Sequence, residues 1–436
     1  MTTSLESKLP VATVAGAASV FLGIAIGTQP LFAVGIMFLG LAAFAVWCTR
    51  FWWGILWVIA PLFLTGSYGF AGSLSVILLA AVVLPLAILW WHRGVGAPPL
   101  SPAAMAIVTL LLIAGILLAA TRGSPIDQAV FTPLLWFAGI LVGTGWAVHQ
   151  RSFRLSMGVL AILGLLAILE SAGVSLPWTE LLRSDDPTAL YAINRSTSTL
   201  GHPVIAGGIF AIAAILTAAS TWSGKAKWLV LILLIGGTVS TVTRSALIAL
   251  VVGIILLVVL HSSTRKGALA TLGAGAVIVA VLYGGLLPQL STTLNTRVFE
   301  QQQPQLVRLY AVRIFSDDLQ RSPTSLLVGE GPGASRQYLE SIGTIYGYTV
   351  FDNQYLTLIK EYGALTLLAI LMLVSAGLYR SDPRNRLAGA PALASVCVFL
   401  LFSDALAWAS FGFLAFAVVG LVCAPTASRS SSPWER

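Results

Sequence analysis

The sequence predicts an all-α integral membrane protein, a polytopic helical bundle of about 12–14 transmembrane helices with a large, partly helical extracytoplasmic loop. Three observations carry that expectation. Of the 436 residues, 57% are hydrophobic and 9% charged, against about 25% charged in a soluble chain. Apolar runs of about 20 residues, the length that crosses a bilayer, recur along the chain. Basic residues sit in alternate connections between those runs, as the positive-inside rule requires. A transmembrane β-barrel is excluded, because the runs are too long and do not alternate.

In order, the apolar stretches lie near 10–27, 30–47, 51–66, 72–91, 103–121, 129–148, 155–173, 202–221, 227–243, 244–260, 267–287, 353–378, 387–404 and 407–424. The N-terminal MTTSLESKLP has one Lys ahead of the first run and no small-residue cleavage site, so the first helix is expected to be retained. With that end cytoplasmic, Lys8, Arg50, Arg93, Arg151, Arg154, Lys225, Lys227, Arg265, Lys266, Arg380, Arg384 and Arg386 all fall on the inner side, as do Arg429 and Arg436 in the tail. The expected location is the inner (cytoplasmic) membrane, multi-pass, with both termini inside. The excess of basic residues (formal charge +8) is thereby accounted for without nucleic acid. Two regions organise the chain: N-terminal helices over 1–173, and a region over 174–436 that includes a long outer loop at about 288–352.

Cys48, Cys397 and Cys423 lie in apolar runs without metal-ligand spacing and read as small core residues. GEGPG at 329–333 does not join a strand to a helix, so it reads as a turn and not a dinucleotide loop. No Walker A, HExxH or CxxC motif occurs. Asp185-Asp186 and Asp317-Asp318 are the nearest approach to an acidic metal motif.

Outer-side basic residues are the anomaly: Arg122, Arg183, Arg195, Arg244, Arg297, Arg308, Arg313, Arg321, Arg336 and Lys360. Arg244, in TVTRSALIALVVG, stands between two apolar runs with almost no loop. It is either an interfacial anchor or a planar fork for two oxygens of a phosphate. Arg308 and Arg313 are five apart on an expected helix and so point to different sides. The loop is near neutral, because acidic residues offset its arginines, which fits a discrete anion site better than a polyanion patch.

In TVFDNQYLTLIKEYG, Asp352 and Asn353 stand where the outer loop re-enters the membrane. Either side chain suits a helix N-cap. A carboxylate so placed also suits the acceptance of a proton from a hydroxyl. His202, beside Pro203, is open to a structural or a catalytic reading. Glu170 and Asp404 are the main ionisable groups within the apolar runs. An alternative reading as a multi-span secondary transporter or flippase for an anionic or lipid-linked substrate would use such groups.

The order TVTRSALIALVVG, VRLYAVRIF, LLVGEGPGASRQYL and DNQYLTLIKEYGALTLL resembles the O-antigen ligase and polymerase family, polyprenyl-diphosphate-dependent glycosyltransferases of the GT-C type. The likeness runs from Arg195 to about Tyr379, and the N-terminal spans match only in hydropathy. The family closes on His-Asn, with a Gly eleven positions after the His. Here Asp352 takes the place of the His and the spacing to Gly363 is kept. The family's Ser-Arg-Gly stands as Thr243-Arg244-Ser245, and its Asn-Pro-Asn-like turn as His202-Pro203-Val204.

The resemblance implies a glycan donor on undecaprenyl diphosphate at the outer leaflet, in cell-surface polysaccharide assembly, with a saccharide or lipid-linked acceptor. It implies that Arg195, Arg244 and Arg308, with Arg313 and His202 near them, bind the substrate without a metal. Asp352 would take the acceptor's proton and Asn353 would orient the hydroxyl. The lipid bilayer and other polysaccharide-assembly membrane proteins are the expected surroundings.

Overall fold

The computed structural model describes residues 55–56, 58–59, 83–90, 101–123, 126–174, 176, 196–261, 315–316, 322–341, 351–406 and 408–424. The expected spans near 10–27, 30–47 and 267–287, and most of the 288–352 loop, lie outside these residues. Among the described residues the regular structure is helical, without a strand. The helices are α1 (Pro102–Arg122), α2 (Ile126–Val148), α3 (Gln150–Ser171), α4 (Pro203–Ala219), α5 (Lys225–Ser240) and α6 (Arg244–His261), then α7 (Pro323–Val328), α8 (Ala334–Ser341), α9 (Gln354–Arg380), α10 (Pro383–Leu400) and α11 (Ala409–Val422).

Five of these, α1, α3, α6, α9 and the Ala129–Val148 part of α2, are long and apolar enough to cross a membrane. The protein is an all-α polytopic membrane protein. The expected runs at 227–243 and 244–260 are two helices, α5 and α6, joined by three residues. The run expected over 387–404 begins earlier and ends at Leu400, so Asp404 stands in the connection to α11 and not in a span.

α4 is the axis of the bundle. From Pro203 to Thr217 all its residues except Val204 are buried, and α3, α5, α6, α10 and α11 pack around it. An apolar helix gains nothing by leaving lipid for protein unless packing is closer there, so small residues line the contacts. A Cβ on Gly208 would meet the Phe399 ring, and one on Gly253 would meet Ser395 and Ile215. Ser395 Oγ donates across helices to Ala249 O at 2.8 Å. The second large contact joins α2 and α11. There Gly139, Gly143 and Gly420 bring backbone against backbone, and Trp136 stacks on Phe416 with centroids 4.7 Å apart.

α9 is two helices end to end. Gly363 has φ 85° and ψ 155°, which breaks the helix between 354–362 and the longer stretch after it. Only glycine tolerates that backbone well, and a Cβ there would lie against the carbonyls of Leu327 and Val328. The break frees carbonyls that lipid cannot satisfy. Glu330 N donates to Lys360 O and Gly331 N to Glu361 O, both at 2.9 Å. GEGPG is thus a turn, as expected, and its work is to close the gap in α9. Gly329, Gly331 and Gly333 all have positive φ.

Gly363→Ala should lower the melting temperature of the purified protein in detergent by several degrees, since strain of this kind is worth about 1–3 kcal/mol before any clash. Gly158→Ala is the comparison: nothing stands within 4 Å of its added Cβ, and the change should leave melting equal or slightly raised. Equal effects of the two substitutions would contradict the break at Gly363.

Candidate functional site

The site is built at one end of the bundle, where α3, α5 and α10 finish and α4, α6, α9 and α11 begin. Glu170, near the end of α3, accepts from the backbone N–H of Thr197 and of Ser198, each at 2.9 Å on Oε2. A carboxylate in an apolar helix is costly unless paired or hydrogen-bonded, and these two bonds explain Glu170 as an anchor for the segment that follows Arg195. The chain then makes one 3-10 turn (Ser198–Leu200) and reverses at Gly201, φ 75°. It enters α4 with Pro203 in the first turn, where a missing N–H costs nothing. His202 caps α4: its Nδ1 accepts from Val204 N at 3.3 Å. That bond leaves the proton of the neutral ring on Nε2. His202 is therefore arranged to donate, and a base role would cost the cap. Its ring lies 5.2 Å from that of Trp408, the residue before α11.

The α5–α6 turn lies against the start of α4. Val242 takes a left-handed φ of 51°. Thr243 Oγ1 bonds to Pro203 O and to Thr241 O, both at 3.2 Å. Gly207 leaves no room for a side chain, since a Cβ would meet Thr241, Ala246 and Thr243. Arg244 is the first residue of α6 and is exposed. A cation is disfavoured at a helix N-terminus, where the macrodipole is already positive. The same combination of a guanidinium and a helix N-terminus suits an anion.

The third part is the start of α9. Asn353 is the N-cap: its Oδ1 accepts from Tyr355 N at 3.0 Å and Leu356 N at 3.3 Å. Asp352 is thereby relieved of capping. It sits half-buried at φ 51°, an uncommon backbone for an Asp outside a turn. Gln354 is buried and its Oε1 accepts from Leu406 N at 2.7 Å. Thr357 Oγ1 donates to Asp404 Oδ2 at 3.0 Å. These two bonds tie the α10–α11 connection to the first turn of α9. Burial pushes the Asp404 carboxyl up to about 6; the bond from Thr357 pulls it down and the charge of Asp352 adds to the rise.

Four expected site residues therefore gather at this end. Arg244 and His202 are neighbours through the Thr243–Pro203 bond, and His202 reaches the α10–α11 connection through Trp408. That connection holds Asp352 and Asn353 through Thr357 and Gln354. Arg195, Arg308 and Arg313 lie outside the described residues. Lys360 is not an outer-side cation presented to a ligand. It is buried, its Nζ pairs with Glu330 Oε1 at 2.7 Å, and it lies 4.3 Å from the Tyr338 ring centre. Among the described residues no cluster of His, Cys, Asp or Glu could hold a metal.

Two of the helices that begin here are short: α4 has 17 residues and α11 has 14. Non-helical backbone near membrane depth is tolerated only where protein or water surrounds it, and here the two starts adjoin through the His202 and Trp408 rings. Asp404 and Thr357 are the members that the sequence did not single out as site residues.

A family model described as O-antigen ligase matches residues 229–371, about a third of the chain. The match takes in Arg244, the GEGPG turn, Asp352, Asn353 and Gly363, and leaves His202 and Asp404 outside. No curated protein matches the chain.

The folded state holds a proton on Asp404 that the unfolded chain, with an ordinary carboxyl near 4, releases. Its contribution is thus present below about pH 4 and lost as pH rises toward 6. Asp404→Asn keeps an acceptor for Thr357 and carries no charge. Above pH 6 it should melt at or above the wild-type temperature, and the advantage should vanish below pH 4. A variant that melts well below wild type at pH 7.5 would contradict this account of the carboxyl.

Proposed function

Residues 229–371 carry an O-antigen ligase family segment, and from that premise we propose that the protein is a metal-independent membrane glycosyltransferase that takes a glycan from undecaprenyl diphosphate on the extracytoplasmic face. The family implies glycan transfer of the ligase or polymerase type in polysaccharide assembly. The observation that carries the finer reading is the meeting of Arg244, His202, Asp352 and Asn353 at one end of the bundle, through Thr243–Pro203, His202–Trp408 and Thr357–Asp404.

In this reading the acceptor hydroxyl gives its proton to Asp352 as its oxygen bonds to the anomeric carbon of the donor. The bond from that carbon to the diphosphate oxygen breaks, and undecaprenyl diphosphate leaves. Arg244, at a helix N-terminus, stabilises the charge that grows on the leaving group, and Arg195 and Arg308 are assigned the same task. Fixed donors aimed at developing charge are usually the largest catalytic contribution. Asn353 spends its oxygen on the cap and offers its NH2 to the acceptor. His202, protonated on Nε2, is assigned to substrate binding.

Orientation follows from the opposite end of the bundle. There Arg151, Arg154, Lys225, Lys227, Arg380, Arg384 and Arg386 collect at the ends of α3, α5, α9 and α10. Arg154 lies 5.8 Å from the Trp222 ring, and Lys227 donates to Ala218 O and Ser220 O. That end is assigned to the cytoplasm. A single cysteine at Ser322, in a background without Cys48, Cys397 and Cys423, should react with an impermeant maleimide in intact cells. Labelling only after permeabilisation would reverse the orientation.

Purified protein, given a polyprenyl-diphosphate glycan and followed by gel, should extend or transfer the glycan in the presence of EDTA. Arg244→Lys keeps the charge but loses the fork and should lose most of the activity; Arg244→Ala should lose nearly all. Asp352→Asn should lower turnover by about 10²–10⁴-fold, the usual worth of a general base, with melting near wild type. Full activity of Arg244→Ala, near-normal turnover of Asp352→Asn, or rescue by Mg²⁺ would each remove the corresponding part of the reading.

A further inference from the structure

We infer that Asp404 is a positioning residue for this reaction: through Thr357 it fixes the first turn of α9, and its ionisation sets a second negative charge beside Asp352 that makes Asp352 a stronger base. The inference rests on the reading of Asp352 as the proton acceptor. Asp404 lies outside the matched segment, 52 residues beyond Asp352 in the sequence.

Three observations carry it. Asp404 Oδ2 accepts from Thr357 Oγ1 at 3.0 Å, and the same hydroxyl lies 3.4 Å from Asn353 O, the carbonyl that follows Asp352 in the chain. The carboxyl, the hydroxyl and the cap thus form one short chain of polar groups. Secondly, Asp404 Oδ1 is buried and has no hydrogen-bond partner among the described residues. A buried oxygen left so costs little on a neutral acid and much on a carboxylate. Thirdly, Gln354 binds Leu406 N at 2.7 Å, so the connection that carries Asp404 is fixed to α9 by a bond independent of the acid. Removal of the charge therefore need not release the loop.

The titratable groups that face Asp404 are Asp352, just ahead of α9, and Glu361 on α9, with His202, the N-cap of α4, beyond Trp408. Lys360, next to Glu361, is committed to Glu330. The charge of Asp352 raises the Asp404 carboxyl, and such a coupling between like charges is mutual. Each negative charge raises the affinity of the other for a proton. While Asp404 is neutral, Asp352 is the weaker base. Once Asp404 ionises, the same carboxylate takes a proton from the acceptor hydroxyl more readily.

The test is the pH dependence of glycan transfer by purified wild type, Asp404→Asn and Asp352→Asn on the same polyprenyl-diphosphate donor. Wild-type turnover should rise through about pH 6, where Asp404 ionises. Asp404→Asn should lose that rise and run several-fold slower on the flat part of the profile. An active Asp404→Asn that keeps the rise, slowed equally at every pH, would reduce Asp404 to a structural role and overturn the inference. Asp352→Asn separates the two ideas. If it abolishes turnover while Asp404→Asn keeps the rise, the base stands and the inference falls; if it retains turnover, the base falls and the inference with it.

If Asp404→Asn turns over too slowly to follow, infrared titration decides. The carboxyl band assigned by its loss in Asp404→Asn should titrate at lower pH in Asp352→Asn than in wild type. An unmoved band would show that the two charges do not meet, and would overturn the inference.

Discussion

The rest of the structure depends on the break in α9 and the way it is closed. In lipid an interrupted helix must find partners for every backbone group it frees. At Gly363 those partners are the N–H groups of Glu330 and Gly331, brought in by a turn whose three glycines all have positive φ. Lys360 pairs with Glu330 and Ser335 Oγ donates to Glu361, so side chains reinforce the same closure. The nine residues before Gly363 thereby become a short helix held from both sides. Its C-terminal end is fixed by GEGPG, and its start is fixed by Gln354 and Thr357 on the α10–α11 connection. Asp352 and Asn353 ride at that start. Their position comes from packing around the break and not from the long loop that precedes them.

The polar groups at the two ends of the bundle have different jobs. At the basic end, charged side chains reach carbonyls and a Trp ring close to their own helices, as expected of anchors at a membrane surface. At the other end, polar groups bind across helices that are far apart in sequence: Glu170 to Thr197 and Ser198, Thr243 to Pro203, Thr357 to Asp404. Each of those bonds fixes non-helical backbone beside the start of a helix. Four helix N-termini, two of them capped by His202 and Asn353 and one bearing Arg244, bring positive dipole ends to this side and make it receptive to an anion. Glu170 and Asp404, the acids on which a transport reading would rely, are absorbed into that construction.

The helices were largely legible in the sequence because the bilayer imposes one length and one composition. α1 and α4 fall within two residues of the expected runs. Arg244 was legible through its cost, since a lone guanidinium between two apolar runs calls for an explanation. The spacing from Asp352 to Gly363 was visible too, but its meaning was not. A period of eleven does not disclose that Gly363 breaks the helix or that GEGPG closes it, because both depend on contacts about 30 residues apart. The cap was open between Asp352 and Asn353, and the backbone decided it: φ 51° at Asp352 is not a capping geometry, whereas Asn353 is extended. Lys360 was counted with the outer cations because its partner lies across the turn. Asp404 was visible as an ionisable group in an apolar run but not as a member of the site, since Thr357 reaches it from 47 positions away.

The central claim is that the bond between glycan and diphosphate is broken on this protein, and the leaving group reports it most directly. Purified protein in liposomes, supplied with a polyprenyl-diphosphate glycan and an acceptor, would be sampled by mass spectrometry for lipid and glycan products together. The account predicts one intact undecaprenyl diphosphate released for each glycan joined to the acceptor, with or without EDTA. Lipid-linked glycan that crosses the bilayer unchanged, or a lipid monophosphate in place of the diphosphate, would contradict it.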